Sequence, residues 1–320
     1  MAQEVVGSRP INRPTWNLDQ GYAHTTAWPF SFLEDPFLPL NPALTHQCWH
    51  AVFPTSAACM MDFSPVAQSG AVDGSSPPVL QLQNISKQFG TQPVLKNISF
   101  SVQRGEIFGY IGANGAGKTT TIKILTGLIK PSQGNALVCG HSILTAPLHV
   151  KARVGYLPES GALFEKLSAR EYLTLTGQLH KLPADQLPDC VQEWLKFFGI
   201  ADKADQQMAT FSKGMKQKVC WIAALMHNPD ILILDEPLNG LDVETVAKAK
   251  ELMKYLVACG KTIFYSSHLI DIVEKVCTRI AVLNAGRLIG IGTIPEIVAF
   301  SGEPTLEQAL LKLWQGYPLL

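Results

Sequence analysis

The sequence predicts an α/β fold built on a mostly parallel sheet and interrupted by an all-helical block. Three observations carry this. Short apolar runs, IFGYI at 107–111, ILILDEP at 231–237 and KTIFYSS at 261–267, read as buried strands, and each leads into a segment with helix signals. From about 160 to 210 no convincing strand occurs, while SARE at 168–171 has capping-box spacing, with Ser168 and Glu171 placed to satisfy each other's amides. The chain has 320 residues and 47% apolar content, ample for a packed core.

The elements follow in order. Residues 1–78 hold no lysine, ten of the 21 prolines and three of the six tryptophans, without sustained period, so no fold is predicted there. That extension is read as disordered or loosely attached, as an aromatic docking segment, or as partly untranslated if Met60 or Met61 is the start. From Val79 the pattern becomes regular: VLQLQNISKQF and VLKNISFSV read as two strands, IFGYI as a third, and TTTIKILTGL as a helix ending at Gly127. NALVCG at 135–140 is a further strand. KGMKQKVCWIAALM after Ser212 is a helix that passes through Asn228 and Pro229 into ILILDEP. The helix VETVAKAKELMKYLVAC, the strand KTIFYSS, another helix and the hairpin-like IAVLNAGRLIGIG complete a region at 79–298, whose helical part spans about 160–225. A tail at 299–320 carries TLEQALLKLW, with Thr305 and Gln308 placed to cap a helix.

Composition excludes several classes. Lys plus Arg and Asp plus Glu are equal at 26 each, so no charge excess points to nucleic acid or an anionic membrane. The seven cysteines are scattered without a CxxC pair, which argues against a disulfide framework or zinc site and fits a reducing cytoplasm. No stretch approaches the roughly 20 apolar residues of a membrane span, so at a membrane another chain would supply the spans.

Gly112, Gly117, Lys118 and Thr119 fit G-x-x-x-x-G-K-[ST], between a buried strand and a helix. Glycines there let successive N–H groups and a helix N-terminus surround a polyphosphate. Lys118 would reach the β- and γ-phosphates, and the Thr119 hydroxyl would ligate Mg²⁺. ILILDEP supplies the acidic partner: Asp235, at the strand's carboxyl end, could hold the magnesium through water, and Glu236 could orient or deprotonate a water at the γ-phosphate.

With these motifs in place, the chain resembles the ATP-binding cassette of the ABC transporter superfamily over roughly residues 79–298. FSKGM at 211–215 is similar to the signature sequence, NGLD at 239–242 to the loop after Walker B, SSH at 266–268 to the switch histidine, and YLPE at 156–159 to the Q-loop. The resemblance implies a P-loop NTPase core with an N-terminal antiparallel β subdomain, and a head-to-tail dimer (a homodimer, or a pair with a second cassette) that sandwiches ATP. It further implies nucleotide contacts from Asn114, Gly115, Ala116, Thr120, Ser212, Gly214 and Asp242, catalytic roles for Glu236 and His268, and a magnesium contact from Glu159. Phe89 falls where the family stacks an aromatic ring on adenine, and equally reads as a core aromatic. Two departures stand out. Glu159 replaces the usual glutamine, and Lys213 and Met215 replace the frequent glycine and glutamine; both variants resemble the branch serving ABC-2 type exporters.

The implied function is an ATPase subunit driving a separate permease from the cytoplasmic face of the membrane. Leu163 and Phe164 lie where such cassettes meet the permease, or they pack internally. A soluble cassette acting on ribosomes or DNA would usually bring a second cassette, a coiled-coil insertion or zinc cysteines, none of which is visible. The basic cluster Lys213, Lys216 and Lys218 reads as a solvated helix face. A guanine-reading NKxD pattern is missing, which disfavours a GTPase.

Overall fold

The computed structural model describes residues 77–159 and 163–316. The expected extension up to residue 76, with Met60 and Met61, lies outside the described residues, as do Gly161 and Ala162.

Strands β1 (Leu80–Phe89) and β2 (Gln92–Val102) form an antiparallel hairpin, followed by β3 (Ile107–Gly112) and helix α1 (Lys118–Leu125). Next come β4 (Gln133–Val138), β5 (His141–Ser142), α2 (Pro147–Arg153) and β6 (Val154–Leu157). The helical block holds α3 (Ala169–Leu179) and α4 (Leu187–Phe197), two short 3₁₀ turns, and α5 (Lys213–Leu225). The chain then returns to β7 (Ile231–Asp235), α6 (Val243–Ala258), β8 (Thr262–Ser267), α7 (Ile270–Val276), β9 (Arg279–Asn284) and β10 (Arg287–Thr293). It closes with α8 (Ile294–Ser301) and α9 (Leu306–Trp314).

Two sheets result. The four-stranded sheet, β2-β1-β4-β5, is antiparallel. The six-stranded sheet, β10-β9-β3-β8-β7-β6, is parallel except for β10 at its edge. Alternation in the central strands decides which layer each residue joins. Ile107, Ile111, Leu232, Leu234, Ile263 and Tyr265 face the cluster shared with the helical block. Phe108, Tyr110, Ile231, Ile233 and Phe264 face the cluster under the antiparallel sheet. There Phe100 of β2 stacks on Phe108 with ring centroids 5.3 Å apart and joins Tyr110 and Phe264, locking the two sheets together.

Capping matches the sequence reading. Ser168 and Glu171 make both bonds of the capping box ahead of α3, and Ser212 and Thr305 cap α5 and α9. Three elements had no strong signal: β5 is two residues long, α2 seven and β6 four, too short for a period to emerge. Helix α8 does carry one, a capping box of Thr293 and Glu296, and runs through residue 298 without a break.

Candidate nucleotide and metal site

Because β3, β8, β7 and β6 are neighbours and parallel, their carboxyl ends open on one edge of the sheet. The phosphate loop leaves β3 at Gly112. Gly117 ends that loop at φ +112°, a conformation open to glycine, and a Cβ there would meet the Leu95 side chain at 2.6 Å. Helix α1 therefore starts without a side-chain cap, leaving its first amides directed at the loop. Lys118 is buried, and its ammonium donates to the Gly112 and Ala113 carbonyls at 2.7 and 3.4 Å. Asn114 and Gly115 are exposed at the loop's crest, Ala116 is buried beneath it, and Thr119 and Thr120 are half-buried. The loop is braced from the far side: Gly286 in the β9–β10 turn donates its N–H to the Ala116 carbonyl at 3.0 Å, and its own carbonyl accepts from Lys96 of β2 at 2.8 Å.

Asp235 ends β7 at 1% exposure. Ser266 Oγ donates to its Oδ1 at 2.9 Å, while Oδ2 is buried with no hydrogen-bond partner within bonding distance among the described residues. Burial pushes the carboxyl pKa up; the Ser266 and Thr119 hydroxyls oppose that, and the nearby charges of Glu159 and Glu236 reinforce it. A divalent cation would relieve this arrangement: a bare buried carboxylate oxygen beside a hydroxyl, with a third carboxylate close by, suits Mg²⁺. Glu159 follows β6, whose Leu157 pairs with Leu234, and stands exposed beside this edge.

Glu236 is 5% exposed with φ +50°. Its Oε1 lies 2.8 Å from His268 Nδ1, and Ser267 Oγ donates to Oε2 at 3.3 Å. The pairing of β7 with β8, Asp235 opposite Ser266, brings together residues 32 positions apart. His268 remains half exposed.

Other predicted residues sit elsewhere. Ser212 caps α5 by accepting from the Met215 N–H at 3.2 Å, and Asp242 caps α6 by accepting from the Thr245 N–H and hydroxyl, both at 2.8 Å. Those bonds hold the Asp242 carboxyl below its usual range. Gly214 approaches the Gly240 carbonyl, so the signature and the loop after Asp235 are in contact within one chain. The lysine cluster is divided: Lys216 pairs with Glu165 at 2.5 Å, and the Lys213 stem lies over Gly240. Phe89 is 50% exposed at the end of β1, with Lys87 Nζ 4.8 Å from its ring centroid, which removes the core-aromatic alternative. The loop after Glu159 splits. Phe164 is 64% exposed, as a docking residue would be, whereas Leu163 is partly buried against the helical core.

Comparisons with known proteins accord with this geometry. A family model described as ABC transporter matches residues 95–239. The linearmycin resistance ATP-binding protein LnrL of Bacillus subtilis is 37% identical over 230 residues, 72% of this chain and 74% of its own length. The Nod factor export ATP-binding protein I of Burkholderia lata is 37% identical over 213 residues, covering 67% and 70%. A solved structure of an ATP-binding subunit of an ABC transporter superposes with a TM-score of 0.70 at 32% identity, over 73% of this chain and 99% of the other.

Proposed function

We propose, because this chain belongs to the ABC transporter family as one of its ATP-binding subunits, that two copies close on two ATP molecules and drive a separate exporting permease. The observation that carries this reading is the convergence of Lys118, Asp235, Glu236 and His268 on one sheet edge. The loop amides and Lys118 bind the polyphosphate, Lys118 exchanging its carbonyl contacts for phosphate oxygens. Thr119, Asp235 and Glu159 would hold Mg²⁺, which supplies charge neutralisation at the phosphates when bound. Glu236 orients and deprotonates the attacking water, and His268, steadied through Nδ1, presents Nε2 to the γ-phosphate.

Ser212 makes its hydrogen bonds within its own helical turn, and α5 opens with free amides and a positive dipole end. A γ-phosphate bound by a second copy fits that end, with Gly214 allowing close approach and Asp242 holding the adjoining loop. Phe89 supplies an exposed face for adenine. Export is the favoured direction because two relatives are named for resistance and for Nod factor export. Attachment to the cytoplasmic face runs through the permease, with Phe164 as contact; among the described residues no helix is long and apolar enough to cross a membrane.

Glu236→Gln tests the chemistry. ATP binding is retained, turnover falls about 10²-fold, and the protein runs as a dimer in size-exclusion chromatography with light scattering at saturating Mg-ATP. Near-normal turnover, or a monomer under those conditions beside the permease, overturns the reading.

A further inference from the structure

Glu236 stands in a backbone conformation that its own sequence disfavours. Its φ of +50° lies in the left-handed region that non-glycine residues seldom adopt, and the following Pro237 biases it further toward extended backbone. Such a conformation persists where the surroundings hold it. On the upstream side, the Glu236 N–H donates to the Ser266 carbonyl at 3.1 Å, continuing the pairing of β7 with β8. On the downstream side, the Asn239 N–H donates to the Glu236 carbonyl at 3.2 Å.

The next carbonyl, that of Pro237, carries the unexpected load. Gln217 Nε2 donates to it at 3.2 Å and Trp221 Nε1 at 3.4 Å, across 20 and 16 residues of sequence. Gln217 and Trp221 are one helical turn apart on α5, so both point from one face, and both are buried, at 3% and 0% exposure. A buried amide and a buried indole N–H each need an acceptor. Here both use the carbonyl of the residue directly after Glu236.

We propose that Gln217 and Trp221 are positioning residues for hydrolysis. By pinning the Pro237 carbonyl they hold Glu236 in its left-handed turn, which lays the carboxylate against His268 Nδ1 and Ser267 Oγ. They belong to the helix that begins at Ser212. A shift of α5 on meeting a second copy's nucleotide therefore re-aims the glutamate of its own chain. This rests on the reading of Glu236 as the hydrolytic carboxylate and adds how the signature helix governs it.

The test uses the full chain carrying Gln217→Met and Trp221→Phe, which keep apolar bulk and remove both N–H donors. KM for ATP stays within about twofold while kcat falls about tenfold or more, the scale of a misplaced reacting group. In nucleotide-free protein the His268 ring signals in NMR spectra move away from their wild-type positions as the Glu236 carboxylate leaves. Gln217→Met alone gives a smaller change in the same direction and serves if the double variant fails to fold. Val219→Ala, on the opposite side of α5, removes buried methyls without touching the pin and leaves kcat and the His268 signals at wild-type values.

Wild-type kcat and wild-type His268 signals in the folded variants overturn the proposal, as does an equal loss of kcat in Val219→Ala. Glu236→Gln measured alongside separates the two readings. If it turns over normally, the hydrolytic assignment fails; if it is inactive while the α5 variants are unaffected, the positioning role alone fails.

Discussion

Ser212 and Glu236 differ in how far sequence could reach them. Ser212 was legible because an N-cap is a local device: a hydroxyl before a helix accepts from an amide three residues on, as Met215 shows. The contact of Glu236 with His268 was not legible, since it depends on β8 lying between β3 and β7, a strand order that no local pattern encodes. The pin on Pro237 was invisible because it depends on how α5 packs against the end of β7, across 16 and 20 residues of chain. Local and long-range roles predict different outcomes for substitution. Ser212→Asp keeps a good cap, so the melting temperature stays near wild type, but it places a negative charge where a γ-phosphate should dock. ATP-driven dimerisation then falls at least about tenfold, a loss of roughly 1.4 kcal/mol or more in docking free energy; light scattering on the Glu236→Gln background reads it. Lys118→Ala removes the buried cation of the loop, and ATP affinity in a calorimetric titration drops by about 10- to 10²-fold, the scale of a charged hydrogen-bond group at roughly 1.5–3 kcal/mol.

Among the elements, long periodic segments were readable and short ones were not. Helices α5 and α6 and strands β3, β7 and β8 announce themselves through apolar runs and caps, whereas β6 is defined by its pairing with β7 rather than by its four residues. Where β6 meets the helical block, His180 at the end of α3 stacks on His227 after α5, with ring centroids 3.7 Å apart. His227 Nε2 bonds to the Val154 carbonyl at 3.1 Å and therefore carries the hydrogen. Burial first, then the His180 and Lys261 charges, lower the His227 pKa from 6.5 to about 4, and burial also lowers that of His180. A histidine whose folded pKa is depressed contributes full stability above its unfolded pKa. As pH falls from 6.5 toward about 4 the unfolded chain takes up the proton first, so stability declines by about 3 kcal/mol for His227. Urea unfolding at pH 7.5 and pH 5 reads about 2 kcal/mol of this loss, and His227→Phe flattens the dependence. A slope unchanged in that variant would assign the acid sensitivity to other groups.

For the molecule as a whole, composition left the partner open and burial narrows it. The sequence offered Leu163 and Phe164 together as permease contacts, but only Phe164 presents its ring to solvent; Leu163 leans on the helical core. Phe164→Asp accordingly spares ATP binding and thermal stability while weakening co-purification with the permease, and undiminished co-purification would move the docking surface elsewhere. Leu163→Asp costs about 2 kcal/mol or more of stability, because it buries a charge without a partner. The loop they share is tied to the signature: the Glu165 carbonyl accepts from the Ala209 N–H at 2.9 Å, and the Glu165 carboxylate pairs with Lys216 on α5. Displacement of this loop thus has a short mechanical route to α5. A comparable economy governs the opposite side, through the turn at Gly286. Residue 286 lies far along the chain from the nucleotide loop, yet any side chain there would collide with the Val94 carbonyl, at 2.1 Å from an added Cβ. A mutational screen for lost ATP affinity should therefore return this distant hairpin alongside the expected loop, and a map drawn in sequence order would misread it as a second, unrelated locus.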